Sequence, residues 1–453
     1  MNTTPNVFET IEGKRRKLAA GWIILGIASL LLAGLLAILL VLSRTPAIQD
    51  VFPFIDFFKV ALVVHVDLSV TIWFLAFAGV LWTLNGSESF MGLGYAALCV
   101  SAAGTIVIAL SPFLGACHPL MNNYVPVLDD KIFLYGVVIF FAGFTLLLLR
   151  SLLCIPLSGA AKSEDGALRY GLYVGVVIGL LAMITLLWTY LSISKDSTAL
   201  RYYELLFWGG GHLLQMLDTA IMLTAWVWLA RAAGLALKLP PKAAVTLFSI
   251  LLLSSLYAPI ILLTHGAGSA EYIHQFTELM EWGIGAPVIV IALLIMASLL
   301  RTEIEANMKH LRAALVSSML LFGAGGAIGY MINGINVTIP AHYHGVIVGV
   351  TLAFMGMTYY LLPRFGFGEP AVKAAKIQVY VYGIGQLLHI TGLAWGGGYG
   401  IQRKVTGSAQ GLDTFKKAAS MGLMGLGGAV AILGGFLFLI VVLKAMRRKN
   451  NIS

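Results

Sequence analysis

His342 and His344 stand two residues apart in Pro340-Ala341-His342-Tyr343-His344-Gly345, at the head of an apolar run from about Val346 to Leu362. Neutral imidazole suits haem iron, copper and zinc. Residues two apart on a helix point about 200° apart. If the run is helical, the two rings leave one backbone toward opposite sides, and a single helix is able to serve two cofactors.

The elements that must position such ligands are membrane helices. The chain has 453 residues, 59% hydrophobic and only 11% charged, whereas a soluble chain is about a quarter charged. Most of its surface must therefore meet lipid. The net charge of +9 does not point to nucleic acid, because the basic residues fall between apolar runs, where membrane orientation requires them. Cys99, Cys117 and Cys154 lack Cys-x-x-Cys spacing, which argues against a disulfide framework or a thiolate-ligated iron-sulfur site.

Apolar windows place spans near residues 18–42, 57–84, 92–115, 131–153, 168–194 and 203–230, and again near 243–267, 273–300, 311–333, 338–363, 374–398 and 418–443. The expected fold is an all-α integral membrane bundle of about twelve transmembrane helices, a single catalytic domain over 1–453. Residues 18–443 form the bundle, and 1–17 and 444–453 are cytoplasmic tails. The first apolar run exceeds a signal-peptide core of about 7–15 residues, so it reads as a retained span. Connections carrying Arg150, Arg231, Arg301 and Arg364 fall on the same side as Lys444 to Lys449, which puts both termini inside.

Nine histidines are present. His65, His212 and His265 sit toward the outer ends of the second, sixth and seventh spans, at the level of His342 and His344 in the tenth. Ionisable groups at membrane depth are rare and functional, and this convergence points to metal ligation. A haem with one imidazole on each face is open to His65 with His344. His342 is then free for a second haem, and His212 and His265 for a further metal. His310 falls in a charged internal connection and reads as solvated.

These residues resemble the catalytic subunit I of the haem-copper oxidase superfamily, from about His65 to the C-terminus. The resemblance rests on Ala341-His342-Tyr343-His344, on Leu206-Phe207-Trp208-Gly209-Gly210-Gly211-His212, on His65, and on Lys376-Ile377 through Gln402-Arg403-Lys404. It implies a low-spin haem on His65 and His344, a high-spin haem on His342, and a second, non-haem metal, copper or iron, on His212. It also implies contacts from Arg403 and Lys404 to haem propionates, with Lys in place of a second Arg. An energy-transducing, prokaryotic plasma membrane is the implied location. An electron-donor subunit, or a cytochrome or cupredoxin-type donor, is the implied partner. His118 and His389 match no ligand position of the family.

The sequence departs from the family where the second metal belongs. Oxygen-reducing members commonly carry a tyrosine four residues after the sixth-helix histidine, and here that residue is Met216. Tyr257 lies eight residues before His265, about 80° off its face, which makes it a poor substitute. The seventh helix offers His265-Gly266 rather than two adjacent histidines. Beyond it, His274, Glu278 and Glu281 recur on one face of an expected helix, and a carboxylate ligand would favour iron over copper. The same carboxylates also suit a helix start. Asp67 and Asp218 lie at membrane depth, either to carry protons or to bond a neighbouring helix. The eighth span lacks the lysine from which pumping oxidases begin one proton route, so proton pumping is not expected.

The expected function is a terminal reductase that passes electrons through the low-spin haem to the high-spin haem and second metal, reducing NO to N2O. The alternatives are reduction of O2 to water by a cytochrome c oxidase-type enzyme, and a haem electron carrier or sensor whose second-metal site has decayed.

Overall fold

Two prolines explain the most visible departures from straight spans. A proline at position i removes the N–H that would bond the carbonyl of i−4. Pro259 removes the bond to Ser255, and a helix ends at Ser255. Pro287 removes the bond to Gly283, and another ends there. The seventh and eighth spans are therefore each two helices in tandem, although each was expected as one.

The computed structural model describes residues 13–42, 57–303, 305–403 and 411–448. Its helices are α1 (Gly13–Leu42), α2 (Phe57–Val66), α3 (Trp73–Asn85), α4 (Met91–Leu110), α5 (Lys131–Cys154), α6 (Glu164–Ser192), α7 (Ala199–Ala232) and α8 (Pro241–Ser255). They continue with α9 (Ala258–Thr264), α10 (Ala270–Gly283), α11 (Gly285–Leu299), α12 (Lys309–Gly329), α13 (Thr338–Leu361), α14 (Val372–Gly397) and α15 (Phe415–Met446). Among the described residues the only sheet is a short hairpin, β1 (Pro119–Leu120) antiparallel to β2 (Val127–Leu128).

Eleven candidate spans are long and apolar enough to cross a membrane. The twelfth expected span is α14, whose Lys373, Lys376, Gln378, Gln386 and His389 dilute its hydropathy. The protein is an all-α integral membrane protein. Helix starts are fixed by side-chain oxygens that take orphan N–H groups. Asp130 accepts from Ile132 N at 2.9 Å before α5, Ser163 from Gly166 N at 3.0 Å before α6, and Ser269 from Tyr272 N at 3.1 Å before α10.

The chain divides into two units, residues 1–224 with 238–294, and residues 225–237 with 295–453. In the first, α1 packs on α3 by exchange of ring for glycine: Trp73 lies on Gly26, and Trp22 lies on Gly79. Between α2 and α3 the helix widens into a π-helical turn, Asp67–Ile72. Such turns cluster at functional sites.

In the second unit, α12 and α13 meet backbone to backbone. A Cβ on Gly325 would stand 2.5 Å from Val346 N, and one on Gly345 would stand 2.5 Å from Gly325 Cα. Small residues permit this approach, as they do at other membrane helix pairs. Buried Trp226 donates to Ser318 Oγ at 2.7 Å, and Ser318 donates to Gly349 O at 2.6 Å, fixing the same region.

His310 corrects an expectation. It is buried, with 7% exposure, and its ring stands 6.1 Å from that of Tyr359. It belongs to the first turn of α12, on the side that faces α13, rather than to the charged connection before it.

Gly325→Ala should cost about 1–3 kcal/mol, the usual penalty for overpacking. Gly323→Ala, whose Cβ would meet nothing within 4 Å, should be neutral or stabilising by up to about 1 kcal/mol through helix propensity. Thermal unfolding of the two variants in detergent separates these outcomes.

Candidate metal and haem centre

Three of the sequence-predicted ligands share one piece of local chemistry. His65 Nδ1 lies 2.8 Å from Ala33 O, His212 Nδ1 2.7 Å from Trp208 O, and His342 Nδ1 2.8 Å from Gly325 O. A carbonyl oxygen can only accept, so each Nδ1 carries the proton and donates it. Each Nε2 is then left with its lone pair. This is the arrangement that orients metal-ligating histidines and fixes their tautomer. His389 has it too, with Nδ1 3.0 Å from Met424 O.

The carbonyls are reachable for steric reasons. Ala33 and Gly325 present almost no side chain between imidazole and backbone. A Cβ on Gly329 would stand 2.7 Å from His342 Nδ1, so a second glycine one turn along α12 keeps the ring's place open. For His212 the acceptor is the carbonyl four residues earlier in its own helix.

The Gly209-Gly210-Gly211 run before His212 gives each glycine a separate neighbour. Gly209 lies against Tyr272 and Phe276, Gly210 against Leu186, and Gly211 against the ring of Tyr124. The Tyr272 hydroxyl accepts from Gly209 N at 3.1 Å and shares a hydrogen bond with Thr189 at 3.2 Å. His212 is 3% exposed, and its ring lies 5.1 Å from Trp208, 4.8 Å from Tyr124 and 6.2 Å from Phe276.

Tyr124 is the residue that sequence reasoning missed. Its hydroxyl stands 2.9 Å from His212 Nε2. Because Nδ1 holds the imidazole proton, the phenol is the donor. Burial, with Glu204 and Tyr272 nearby, holds that phenol well above the ordinary tyrosine range, so it keeps its proton. The tyrosine rides on the β1–β2 hairpin, which is tied to the start of α7 by Asn123 to Glu204 and by Tyr203 to Asp129 at 3.2 Å. The sequence signal was the third glycine of the run, a position kept bare for a ring. Nothing in the sequence says which ring.

The other predicted residues are placed as follows. His265 follows α9, is half-buried, and its imidazole has no hydrogen-bond partner among the described residues. His274 and Glu281 are exposed on α10. Glu278 is half-buried and accepts from Trp282 Nε1 at 3.0 Å. Tyr257 is 40% exposed, and its hydroxyl donates to Gln275 at 3.1 Å. Among the described residues no three His, Cys, Asp or Glu side chains are gathered closely enough to hold a metal. Asp67 is 1% exposed and neither carboxyl oxygen has a partner among the described residues, so no neighbouring helix is bonded through it. Met216 is fully buried.

In the second unit, His344 is half-buried, and its ring lies 4.9 Å from that of His389 at 74°. Arg403 is half-buried, two residues beyond Ile401, whose carbonyl accepts from Val337 N at 2.9 Å. That bond ties the loop to the start of the helix carrying His342 and His344. Lys404 lies outside the described residues.

Residues 17–448 match the family model described as cytochrome c and quinol oxidase polypeptide I. The chain belongs to that family. As a haem-copper oxidase subunit I, it is an oxidoreductase embedded in the membrane, and haem cofactors with a second metal go with the family. The unprotonated Nε2 atoms of His65 and His342 fit haem ligation, and that of His212 is a metal-competent nitrogen that here accepts from the Tyr124 hydroxyl. An uncharacterised protein of Rickettsia prowazekii (strain Madrid E) is 30% identical, covering 96% of this chain and 97% of its own. Another, of Aquifex aeolicus (strain VF5), is 29% identical over 78% of this chain and 87% of its own. A haem-copper terminal oxidase solved as a dimer shares the fold, with a TM-score of 0.75, 16% identity, and coverage of 96% of this chain and 84% of that one.

Tyr272→Phe removes the acceptor for Gly209 N–H and the partner of Thr189 in a buried site. A loss of about 1–3 kcal/mol is expected, measured as a lower midpoint of thermal unfolding in detergent.

Proposed function

We propose that this subunit is the catalytic chain of a respiratory terminal reductase that joins two NO with two electrons and two protons to give N2O and water. The observation that carries the reading is Met216. It is fully buried one turn after His212, where oxygen-reducing relatives commonly hold a redox tyrosine, and a thioether cannot give up an electron and a proton as a phenol does. NO coupling needs no such radical.

His65 and His344 supply axial nitrogens to the low-spin haem, His342 one to the high-spin haem, and His212 with His265 hold the second metal. These roles come from the motif match. They are supported by the Nδ1 bonds that leave Nε2 without a proton at His65, His212 and His342. The bound metal groups supply electron transfer and the bond chemistry. The chain's own work is to fix the imidazoles, to exclude water with the Trp208 and Phe276 rings around His212, and to deliver protons. Glu278, Glu281 and His274 are candidates for proton delivery. Arg403 and Lys404 offer cations to propionates.

Reduction of O2 to water is the second reading. It is favoured by the family's description and by the Tyr124 phenol 2.9 Å from His212 Nε2.

Anaerobic turnover of the purified complex with NO, and separately with O2, alongside metal analysis, decides between the readings. N2O formed from NO, with iron at the second site, is expected. Copper, with water from O2 and no N2O, overturns the proposal. His344→Ala should remove the low-spin haem signature in the visible spectrum and leave the high-spin signature, and an unchanged low-spin spectrum would remove His344 from the ligand set.

A further inference from the structure

We propose that the groove between α8, α9 and α10 binds the primary-ammonium head group of a membrane lipid, a phosphatidylethanolamine, with Glu278 as its anion. The site does not depend on which gas the subunit reduces.

The groove has a volume of about 310 Å³ and is lined by Ser254, Tyr257, Glu278, Leu279, Trp282 and Gly283. It lies where both tandem breaks meet. Ser254 and Tyr257 flank the end of α8 before Pro259, and Gly283 ends α10 before Pro287. Trp282 is 67% exposed and Tyr257 40%, so two aromatic rings and one carboxylate share an open surface.

Its depth suits a head group. α10 and α11 make one candidate span of 30 residues, Ala270–Leu299, about 45 Å long against about 30 Å of hydrocarbon. With the excess shared between the two ends, Glu278 lies about a turn inside the hydrocarbon edge. Helical side chains lean toward the helix N-terminus, which for α10 is the membrane surface. Trp282 reaches back one turn in this way and donates from Nε1 to Glu278 Oε2 at 3.0 Å.

Charge selects the occupant. An ionised carboxylate at this depth needs a cation, and Trp282 offers only a neutral N–H. From Ala243 to Leu300 the chain has Glu271, Glu278 and Glu281 and no Lys or Arg. Glu278 has no ion-pair partner among the described residues. A lipid ammonium brings the missing charge and three N–H donors. The Tyr257 hydroxyl gives its own proton to Gln275 at 3.1 Å, which leaves its oxygen able to accept one of them. The charge also suits the Trp282 and Tyr257 rings. A choline head group has the charge and no N–H to give. A groove of this size is too small to seat a partner helix about 10 Å across.

The test uses the purified complex in detergent, stripped of co-purified lipid, as wild type, Glu278→Gln and Glu271→Gln. Phosphatidylethanolamine, its N-methylated forms and phosphatidylcholine, all with the same acyl chains, are titrated and bound lipid is counted by native mass spectrometry. A photoreactive phosphatidylethanolamine locates the site by its cross-linked peptide, and the haem visible spectrum is the folding control. Wild type should bind phosphatidylethanolamine about tenfold more tightly than phosphatidylcholine, the scale of one hydrogen bond to a charged group. The preference should fall as methyl groups replace N–H, and the cross-link should fall within residues 254–283. Glu278→Gln keeps an acceptor for Trp282 and removes the charge, so it should lose the preference and the cross-link, while Glu271→Gln keeps both. Equal binding of the two lipids by wild type, a preference retained in Glu278→Gln, or cross-links confined to other segments or to a partner subunit overturns the proposal. If Glu278→Gln does not fold, the methylation series and the cross-link site in wild type decide.

Discussion

A hydrogen bond from imidazole Nδ1 to a backbone carbonyl is the constraint on which the rest of the structure depends. It appears at His65, His212, His342 and His389, drawing on carbonyls of Ala33, Trp208, Gly325 and Met424. In a bilayer the backbone is already satisfied within each helix, so the second lone pair of a helical carbonyl is what remains to hold an imidazole. To use it across helices, two backbones must come close, and glycine or alanine must stand at the crossing. The Gly325 and Gly345 contact therefore belongs to the chemistry of His342 as much as to packing.

The same economy explains the Gly-Gly-Gly-His run. Three consecutive residues cover nearly a full turn, so bare positions on three sides of α7 admit Tyr272 and Phe276, Leu186, and Tyr124. The histidine one residue further is thus enclosed by rings from α10 and from the hairpin. Pro259 and Pro287 act in the opposite way, breaking two spans into tandem helices. One of those breaks sets where His265 follows the short α9.

Legibility in the sequence followed the kind of information involved. The spans were legible because lipid imposes a length and an apolar composition, and Lys and Arg mark the connections. His65, His212 and His342 stood out because an imidazole inside such a span is costly without a purpose. His310 was misplaced because a residue at a helix start has an ambiguous side, which only the packing of α12 on α13 resolves. Tyr124 was legible only as the bare third glycine of the run, which does not name its partner: it is 88 residues from His212, on a short hairpin without a periodic signal.

The sequence by itself determined the class of the molecule, its succession of membrane helices, and which imidazoles fall inside those helices, because composition, periodicity and rare buried polarity are local properties. Only the tertiary structure decided which nitrogen of His65, His212, His342 and His389 holds the proton, which glycine receives which side chain, and that a phenol meets His212. Those outcomes depend on distances between segments far apart in the chain. The Ala341-His342-Tyr343-His344 stretch shows the division plainly. Its spacing assigned two directions, and the carbonyl of Gly325 settled which atom of His342 points into one of them.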